Sequence, residues 1–349
     1  MRLGVIAESI LDRLILRSNV APVPLLETQM AFSMARTIMA GVKLGFFEAA
    51  SDGPRSAAHI AHACDTHPAA TERLLDALTG CGYFTYRDGS YALTPRARKW
   101  LLRGSSQTLR DKVLFQYYEW EMVEGYEAFV RTGTPLAGHA GTQDVDFWNL
   151  YQRGMRNLAG LAADEVTRRF PMPRLARDML DLGGSHGYFS VSLCRRHPHL
   201  QSVILDLPQA VGQAADILAA EQMGARVTHR TGNALTDELG EQSVDIVFMS
   251  QLVHHFTDEE NRVLMKKIAR ALRAGGVCVM FESIRPKKPG AGTQTAALLD
   301  LYFAMMSESG TWPIETMQSW LQSTGLTPLK PIWLRTMPGG ALVAGRKAG

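Results

Sequence analysis

Apolar residues change their spacing from one half of this chain to the other. Up to about residue 170 the repeat is helical: Ile6, Ile10, Leu14 and Ile15 recur at three- and four-residue intervals, the mark of an amphipathic helix. Beyond Pro22 and Pro24 the same period runs through Met30, Met34, Ile38, Val42 and Phe46, which predicts one helix from Glu27 to about Ala50. A methionine stripe at that spacing reads as core or as a subunit contact. The first helix has too little chain around it to cover its apolar face, so that face is expected to lie against a second subunit.

Residues 55 to 103 read as helix, turn, helix and wing. Ser56 caps a short helix, residues 68–79 form a second with Leu74, Leu75 and Leu78 on one face, and Gly80-Cys81-Gly82 stops it. Tyr83 to Tyr86, a turn at Asp88-Gly89 and Tyr91 to Leu93 then make a hairpin. A winged helix can read DNA through the major groove. Here the second helix sets Glu72 and Asp76 against a lone Arg73, too little positive charge for phosphate contacts. Helical spacing returns over 105–170, with aromatic runs at Phe115 to Trp120 and at Phe147 to Tyr151.

After Pro171 and Pro173 short apolar runs alternate with helical patterns. Residues 176–182, 202–207, 226–231, 245–250 and 276–283 read as buried parallel strands, separated by helices over 188–196, 208–222 and 258–274. The chain closes on a hairpin of residues 333–336 and 341–344 around Pro338-Gly339-Gly340. Such alternation predicts a doubly wound α/β domain with an antiparallel pair at one edge.

Composition sharpens this picture by exclusion. With 349 residues, 46% of them hydrophobic and 20% charged, the chain has material for two ordinary globular domains. A formal charge of +3 gives no support to nucleic-acid binding through an overall field. Cys64, Cys81, Cys194 and Cys278 lack metal-ligand or disulfide spacing and fit a reducing cytoplasm. Glu8, Asp12, Arg13 and Arg17 interrupt the apolar N-terminus, which argues against a secretory signal, and no run approaches the ~18 uncharged apolar residues of a membrane span. The expectation is a cytoplasmic protein with no membrane or nucleic-acid partner.

The candidate chemistry begins at Asp181-Leu182-Gly183-Gly184-Ser185-His186-Gly187, an apolar strand that runs into a glycine turn and opens a helix. Glycines let backbone approach a ligand closely, and the helix start offers free N–H groups. The next strand ends at Asp206, followed by Leu207; a carboxylate there is placed to accept both hydroxyls of a ribose. Dinucleotide sites share these devices, but Gly-Gly-Ser-x-Gly has the wrong register for a pyrophosphate. Gly232-Asn233-Ala234 after the third strand offers an amide for the adenine amino edge, and Ser250-Gln251 after the fourth offers polar groups for an amino-acid end. The nucleoside implied is S-adenosyl-L-methionine, with S-adenosyl-L-homocysteine as the product. Ser185 should be tolerated in the turn if its φ is negative.

At this point the chain resembles the class I O-methyltransferases that carry an N-terminal winged-helix dimerisation domain, such as caffeate- and acetylserotonin-type enzymes and bacterial natural-product-tailoring enzymes. Residues 37–47 and 89–94, the glycine turn, Asp206, Gly232-Asn233 and residues 253–260 carry the likeness across nearly the whole chain. It implies an α/β fold: a Rossmann-like methyltransferase domain with a mostly parallel seven-stranded sheet, preceded by a mainly helical winged-helix domain that forms a homodimer instead of reading DNA. The expected boundaries are 1–104 for dimerisation, 105–173 for a helical linker or lid, and 174–349 for catalysis. Three positions depart from the family: Ser185 replaces a glycine, Asn233 an aspartate, and His255 the aspartate that commonly follows the catalytic histidine.

His254 lies just past the fourth strand, where open α/β sheets place their chemistry, and a histidine titrates in the right range to take a hydroxyl proton. Glu282 ends the neighbouring strand and is expected to orient it, the logic of a histidine–carboxylate pair. The resemblance assigns the same roles to both. A second family glutamate should fall near Thr311 and is absent. His255, next to His254 on a strand end, points to another face, so no metal site is expected. Phe147, Tyr151, Met155, Tyr302, Phe303, Met305, Met306 and Trp312 are candidates to wall an aromatic acceptor of phenol, quinone or polyketide type. The rival readings are N- or C-methylation or a non-methylating reaction with the same cofactor, and a DNA-binding, ligand-sensing regulator.

Overall fold

The structure, a computed structural model, describes every residue except 1–3, 19, 137–143, 289, 291 and 308. The chain packs as two compact units that divide between Tyr117 and Tyr118. That division lies inside a helix (Arg110–Val123), whereas the sequence reading divides the chain at 104 and 173.

In the first unit α1 (Ile10–Arg17) starts at a capping box, Ser9 and Asp12 each satisfying the other's backbone. None of its residues is buried, and Ile6 and Ile10 stand 85% and 78% exposed, an apolar face without cover inside this unit. The long helix expected over 27–50 is divided. A short α2 (Val23–Leu25) and a π-turn (Leu26–Met30) lead into α3 (Ala31–Lys43), and α4 (Phe46–Ala49) follows. Gly45 makes the break with φ +83°, a left-handed conformation that glycine adopts without strain. The hydrophobic phase survives it, because Val42, Phe46 and Phe47 are all buried.

Ser56 caps α5 (Ala57–Ala63), Pro68 opens α6 (Pro68–Gly80), and β1 (Phe84–Arg87) pairs antiparallel with β2 (Ser90–Leu93). These are the helix, helix and wing read from the sequence. An unforeseen α7 (Pro95–Leu101), capped by Thr94, completes the core around Phe47, Leu75, Leu78 and Phe84. The helix α8 (Arg110–Val123) then crosses into the second unit.

That unit adds α9 (Tyr126–Thr132) and α10 (Val145–Arg169) before its sheet begins. Strands β3 (Asp178–Leu182), β4 (Gln201–Asp206), β5 (Val227–Thr231), β6 (Val244–Ser250) and β7 (Leu272–Ser283) are parallel and alternate with α11 (Tyr188–Arg196), α12 (Pro208–Ala220) and α13 (Asp258–Ala271). After β7 come α14 (Gln294–Met306), α15 (Ile314–Ser323), β8 (Leu326–Pro328), β9 (Ile332–Trp333) and β10 (Gly340–Lys347). The sheet order is β5-β4-β3-β6-β7-β10-β8, with the two-residue β9 also on β10. The closing hairpin is thus lopsided: β10 runs antiparallel along β7 from Gly340 to Arg346, while its partner in the turn is only a stub.

Side-chain alternation on the strands makes two cores. Met179, Ile204, Phe248 and Val279 face α10, α11 and α12, while Leu180, Leu205, Val247 and Met280 face α13 and α15. Buried on both faces, the parallel strands present their carboxyl ends side by side, with β3 and β6 adjacent at the point where the strand order reverses. Among the described residues no helix is long and apolar enough to cross a membrane, and no group of three or more metal-ligating side chains forms.

Candidate active site

The turn after β3 is shaped by steric exclusion. A Cβ at Gly183 would lie 2.7 Å from Leu252 Cδ1, one at Gly184 2.5–2.8 Å from the Asp181 carboxyl group, and one at Gly187 2.5 Å from Ile204 Cδ1. Each is shorter than real Cβ contacts, so a side chain there would force its neighbour to shift, and Gly183 and Gly187 further have φ of +64° and +74°, which favour glycine. Ser185 differs from expectation, since its φ is +53°. The surroundings fix this left-handed serine: its N–H donates to Asp206 Oδ2 at 2.8 Å, its carbonyl meets His229 Nε2 at 2.8 Å, and its hydroxyl bonds the buried Gln152 of α10.

Asp181 lies beneath the turn. It is buried, accepts from Ser190 Oγ at 2.6 Å, and burial pushes its carboxyl up to about 7, the Ser190 bond opposing and the Asp206 charge adding. It shapes the turn from below. Asp206, at the tip of β4, accepts from the amides of Ser185 and Leu207, both at 2.8 Å; burial raises its pKa against the pull of those two donors. His186 is buried and neutral: loss of solvent, then the charges of Arg156 and His229, bring its pKa down to about 3.

On the next tip, Gly232 donates its N–H to the Asp206 carbonyl at 2.9 Å, and a Cβ there would meet Asp237 and Leu205. Asn233 is held by the backbone that follows it. Its Oδ1 accepts from Leu235 N at 2.9 Å, which fixes the amide plane and leaves one oxygen lone pair and the amino group. The carbonyls of Ala234 and Leu235 take up Lys267 Nζ. Ser250 ends β6, and Gln251, with φ +53°, bonds to the Phe281 carbonyl and to Ser283.

The parallel pairing of β6 with β7 brings His254 and Glu282 together across 28 residues of sequence. His254 Nδ1 lies 2.9 Å from Glu282 Oε2, and both side chains are almost wholly buried. The other carboxylate oxygen accepts the amides of Leu252 at 2.7 Å and Val253 at 3.0 Å. Glu282 therefore grips the backbone of the turn as well as its imidazole. Nε2 of His254 has no hydrogen-bond partner among the described residues. The ring is 4.1 Å from Phe303 and 4.3 Å from His255, centroid to centroid. Leu252, two residues before His254, is the side chain that packs on Gly183, so the glycine turn and the histidine turn are in direct contact.

Aromatic residues gather beside this point. Phe147 stacks on Tyr151 at 6.2 Å with an interplanar angle of 5°, and Tyr118 meets Phe147 edge-on at 5.1 Å. Tyr302 lies against Phe303 and donates to Glu119 Oε1 at 3.3 Å. Burial raises the phenol pKa of both Tyr151 and Tyr302, with the carboxylates of Asp206 and Glu119 respectively adding to it. Met155 is partly buried, whereas Met305 and Met306 are core residues. Trp312 packs edge-on against Trp320 and donates to the Val253 carbonyl at 3.1 Å, bracing the histidine turn from outside. Gln152, Leu252 and Ser307, whose hydroxyl lies 2.8 Å from the His254 carbonyl and 2.6 Å from that of Phe303, carry no motif in the sequence. A polar residue on the buried face of α10 was the one available signal.

Residues 107–324 match the O-methyltransferase domain of known proteins, and residues 26–103 match the O-methyltransferase dimerisation domain. The chain belongs to the O-methyltransferase family. This O-methyltransferase is 26% identical to 3-hydroxy-5-methyl-1-naphthoate 3-O-methyltransferase of Streptomyces sahachiroi over 93% of its own length and 96% of that protein's. It is also 26% identical to the N,N-dimethyltransferase OxyT of Streptomyces rimosus, over 74% of this chain and 77% of that one. In fold it is similar to human N-acetylserotonin methyltransferase, solved in complex with SAM, with a TM-score of 0.82, 18% identity, and coverage of 98% and 99% of the two chains.

Proposed function

We propose that this O-methyltransferase uses S-adenosylmethionine to methylate a hydroxyl group of an aromatic or polyketide-like small molecule, with His254 as general base. The observation that carries the reading is the 2.9 Å His254–Glu282 contact at the tips of adjacent parallel strands, one side chain away from the glycine turn.

The residues present fit the cofactor. The side-chain-free floor at Gly183 and Gly184 and the backbone of Ser185 would receive its aminoacyl part, together with Ser250 and Gln251 at the tip of β6. The Asp206 carboxylate, next to Leu207, would accept its ribose hydroxyls, and Gly232, Asn233 and Ala234 would flank its base. When bound, S-adenosylmethionine supplies a methyl group on a sulfonium, open to in-line attack by oxygen.

Glu282 accepts the Nδ1–H of His254 and so holds Nε2 unprotonated and directed to the acceptor. As the hydroxyl oxygen attacks, Nε2 takes its proton, and the Glu282 carboxylate stabilises the imidazolium that forms. Phe303 fixes the ring plane, and the Phe147, Tyr151 and Tyr302 rings offer flat apolar contact to a planar acceptor, with Met155 beside them. The match to a dimerisation domain and the uncovered apolar face of α1 support a homodimer formed through the N-terminal unit.

N-methylation is kept as a second reading because of the likeness to an N,N-dimethyltransferase. Incubating the enzyme with S-adenosylmethionine and a panel of phenols, quinols and amines, then locating the new methyl group by NMR, decides between them. Aryl methyl ethers are expected. Products methylated at nitrogen or carbon alone would refute the hydroxyl reading.

A further inference from the structure

Beyond β7 the chain carries an ionic clasp that takes no part in the chemistry described so far. Arg285 donates from Nε to Asp300 Oδ1 at 3.0 Å and from Nη2 to the Ser309 carbonyl at 2.7 Å. The same Asp300 oxygen accepts the N–H of Thr311 at 3.1 Å and also its hydroxyl. One carboxylate on α14 thereby gathers the end of β7 and the loop over 309–311. An oxygen that takes three donors, one of them ionic, is among the stronger restraints open to a side chain.

Residues at and beside the clasp supply donors to the histidine turn. Ser309 Oγ reaches the Phe256 carbonyl at 2.7 Å and Trp312 Nε1 the Val253 carbonyl at 3.1 Å, beside Asn261 Nδ2, which donates to the same two carbonyls at 3.1 and 2.9 Å. The single proton of Ser307 Oγ is shared between the His254 carbonyl at 2.8 Å and the Phe303 carbonyl of its own helix at 2.6 Å. Glu282 holds the same turn by the amides of Leu252 and Val253. Amides are tied on one side and carbonyls on the other. The carboxylate alone fixes the imidazole's partner, whereas the carbonyl ties fix how the turn presents that imidazole to an acceptor.

We propose that Arg285, Asp300 and Thr311 form a positioning clasp for His254, acting through Ser309 and Trp312. Thr311 stands near where the family resemblance places a second glutamate. In this chain the orientation such a carboxylate would give comes from the backbone ties of the clasp instead. The proposal rests on the reading of His254 as base, and Asp300, whose partners are Arg285 and Thr311, is a positioning residue. Displacing a catalytic group by an ångström costs about a hundredfold in rate, which sets the scale of the effect.

The test uses the whole chain and five variants: Asp300→Asn, Asp300→Glu, Thr311→Val, His254→Ala, and Asp300→Asn combined with His254→Ala. Asp300→Asn is expected to lower kcat roughly 10- to 100-fold while the Kd for S-adenosylhomocysteine stays within about twofold. Amide hydrogen exchange over residues 252–256 should quicken, and Asp300→Glu should restore part of the rate. In the His254→Ala background the same substitution should cost less than about threefold, because its effect passes through the missing imidazole. Thr311→Val, which removes a single hydroxyl, should show a smaller version of both changes and serves if Asp300→Asn does not fold. Unchanged exchange over 252–256, or an equal loss of kcat with and without His254, would overturn the clasp. Full activity of His254→Ala would instead overturn the base reading, and the exchange measurement would still decide whether the clasp holds the turn.

Discussion

Around Gly183 to Gly187 the site depends on atoms that are missing, and around His254 it depends on atoms that are present. The glycine turn is a steric object: three positions where any Cβ would strike Leu252, the Asp181 carboxyl or Ile204. The histidine turn is an electrostatic one, in which a single buried carboxylate holds two amides and an imidazole. The two touch through Leu252 and Gly183. The difference teaches that substitutions in the first should alter binding, and those in the second should alter rate.

Glu282→Gln is the sharpest way to test that division. Its amide would keep one oxygen for Leu252 and Val253 and turn an NH2 toward His254 Nδ1, forcing the tautomer that protonates Nε2. We expect kcat to fall by about 10²- to 10⁴-fold, with S-adenosylhomocysteine affinity close to wild type, measured by steady-state kinetics beside calorimetric titration. Gly184→Ala should do the reverse. The new methyl group meets the Asp181 carboxyl, an overpacking of about 1–3 kcal/mol, so cofactor affinity should drop roughly tenfold or more. A Gly184→Ala enzyme with unchanged affinity and impaired kcat would break the comparison.

Asp181→Asn probes the floor of the turn by pH. The carboxyl titrates near 3.8 ordinarily and at about 7 here, so the folded state disfavours its ionised form. The penalty sets in as pH rises above the lower value and is complete above the higher one. The variant should therefore gain stability at pH 8, on the order of 2 kcal/mol, and gain almost nothing at pH 4. Melting curves without cofactor at the two pH values measure this; a gain confined to acid would contradict the burial of a carboxyl group. The smallest effect is expected from Ser185→Gly, since relief of the left-handed serine and loss of its bond to Gln152 are each worth about 1 kcal/mol and oppose one another. Its melting temperature should lie within about 2 °C of wild type.

The two regions also differ in how far the sequence disclosed them. Strands β3 to β7 were legible because buried parallel strands leave continuous apolar runs, and the glycine turn because its constraint is local. The meeting of His254 with Glu282 followed from strand adjacency, although 28 residues separate them. What escaped depends on tertiary context. The φ of Ser185 is set by Asp206, His229 and Gln152 from three other elements. The break at Gly45 leaves the hydrophobic phase intact, so periodicity could not reveal it. The bracing bond of Trp312 to the Val253 carbonyl depends on tertiary neighbours that its residue type does not disclose. Asp300 and Ser307 carry no pattern of their own and acquire meaning only through what they touch.

The central claim is that His254 removes the acceptor's proton. The most direct measurement follows methyl transfer from labelled S-adenosylmethionine to an accepted phenol by wild type and His254→Ala, with S-adenosylhomocysteine binding measured on both. A loss of about 10²- to 10⁴-fold in transfer with binding retained is the predicted result. Full activity in the variant would contradict the claim and leave an enzyme that works by holding an already acidic acceptor in line with the methyl group.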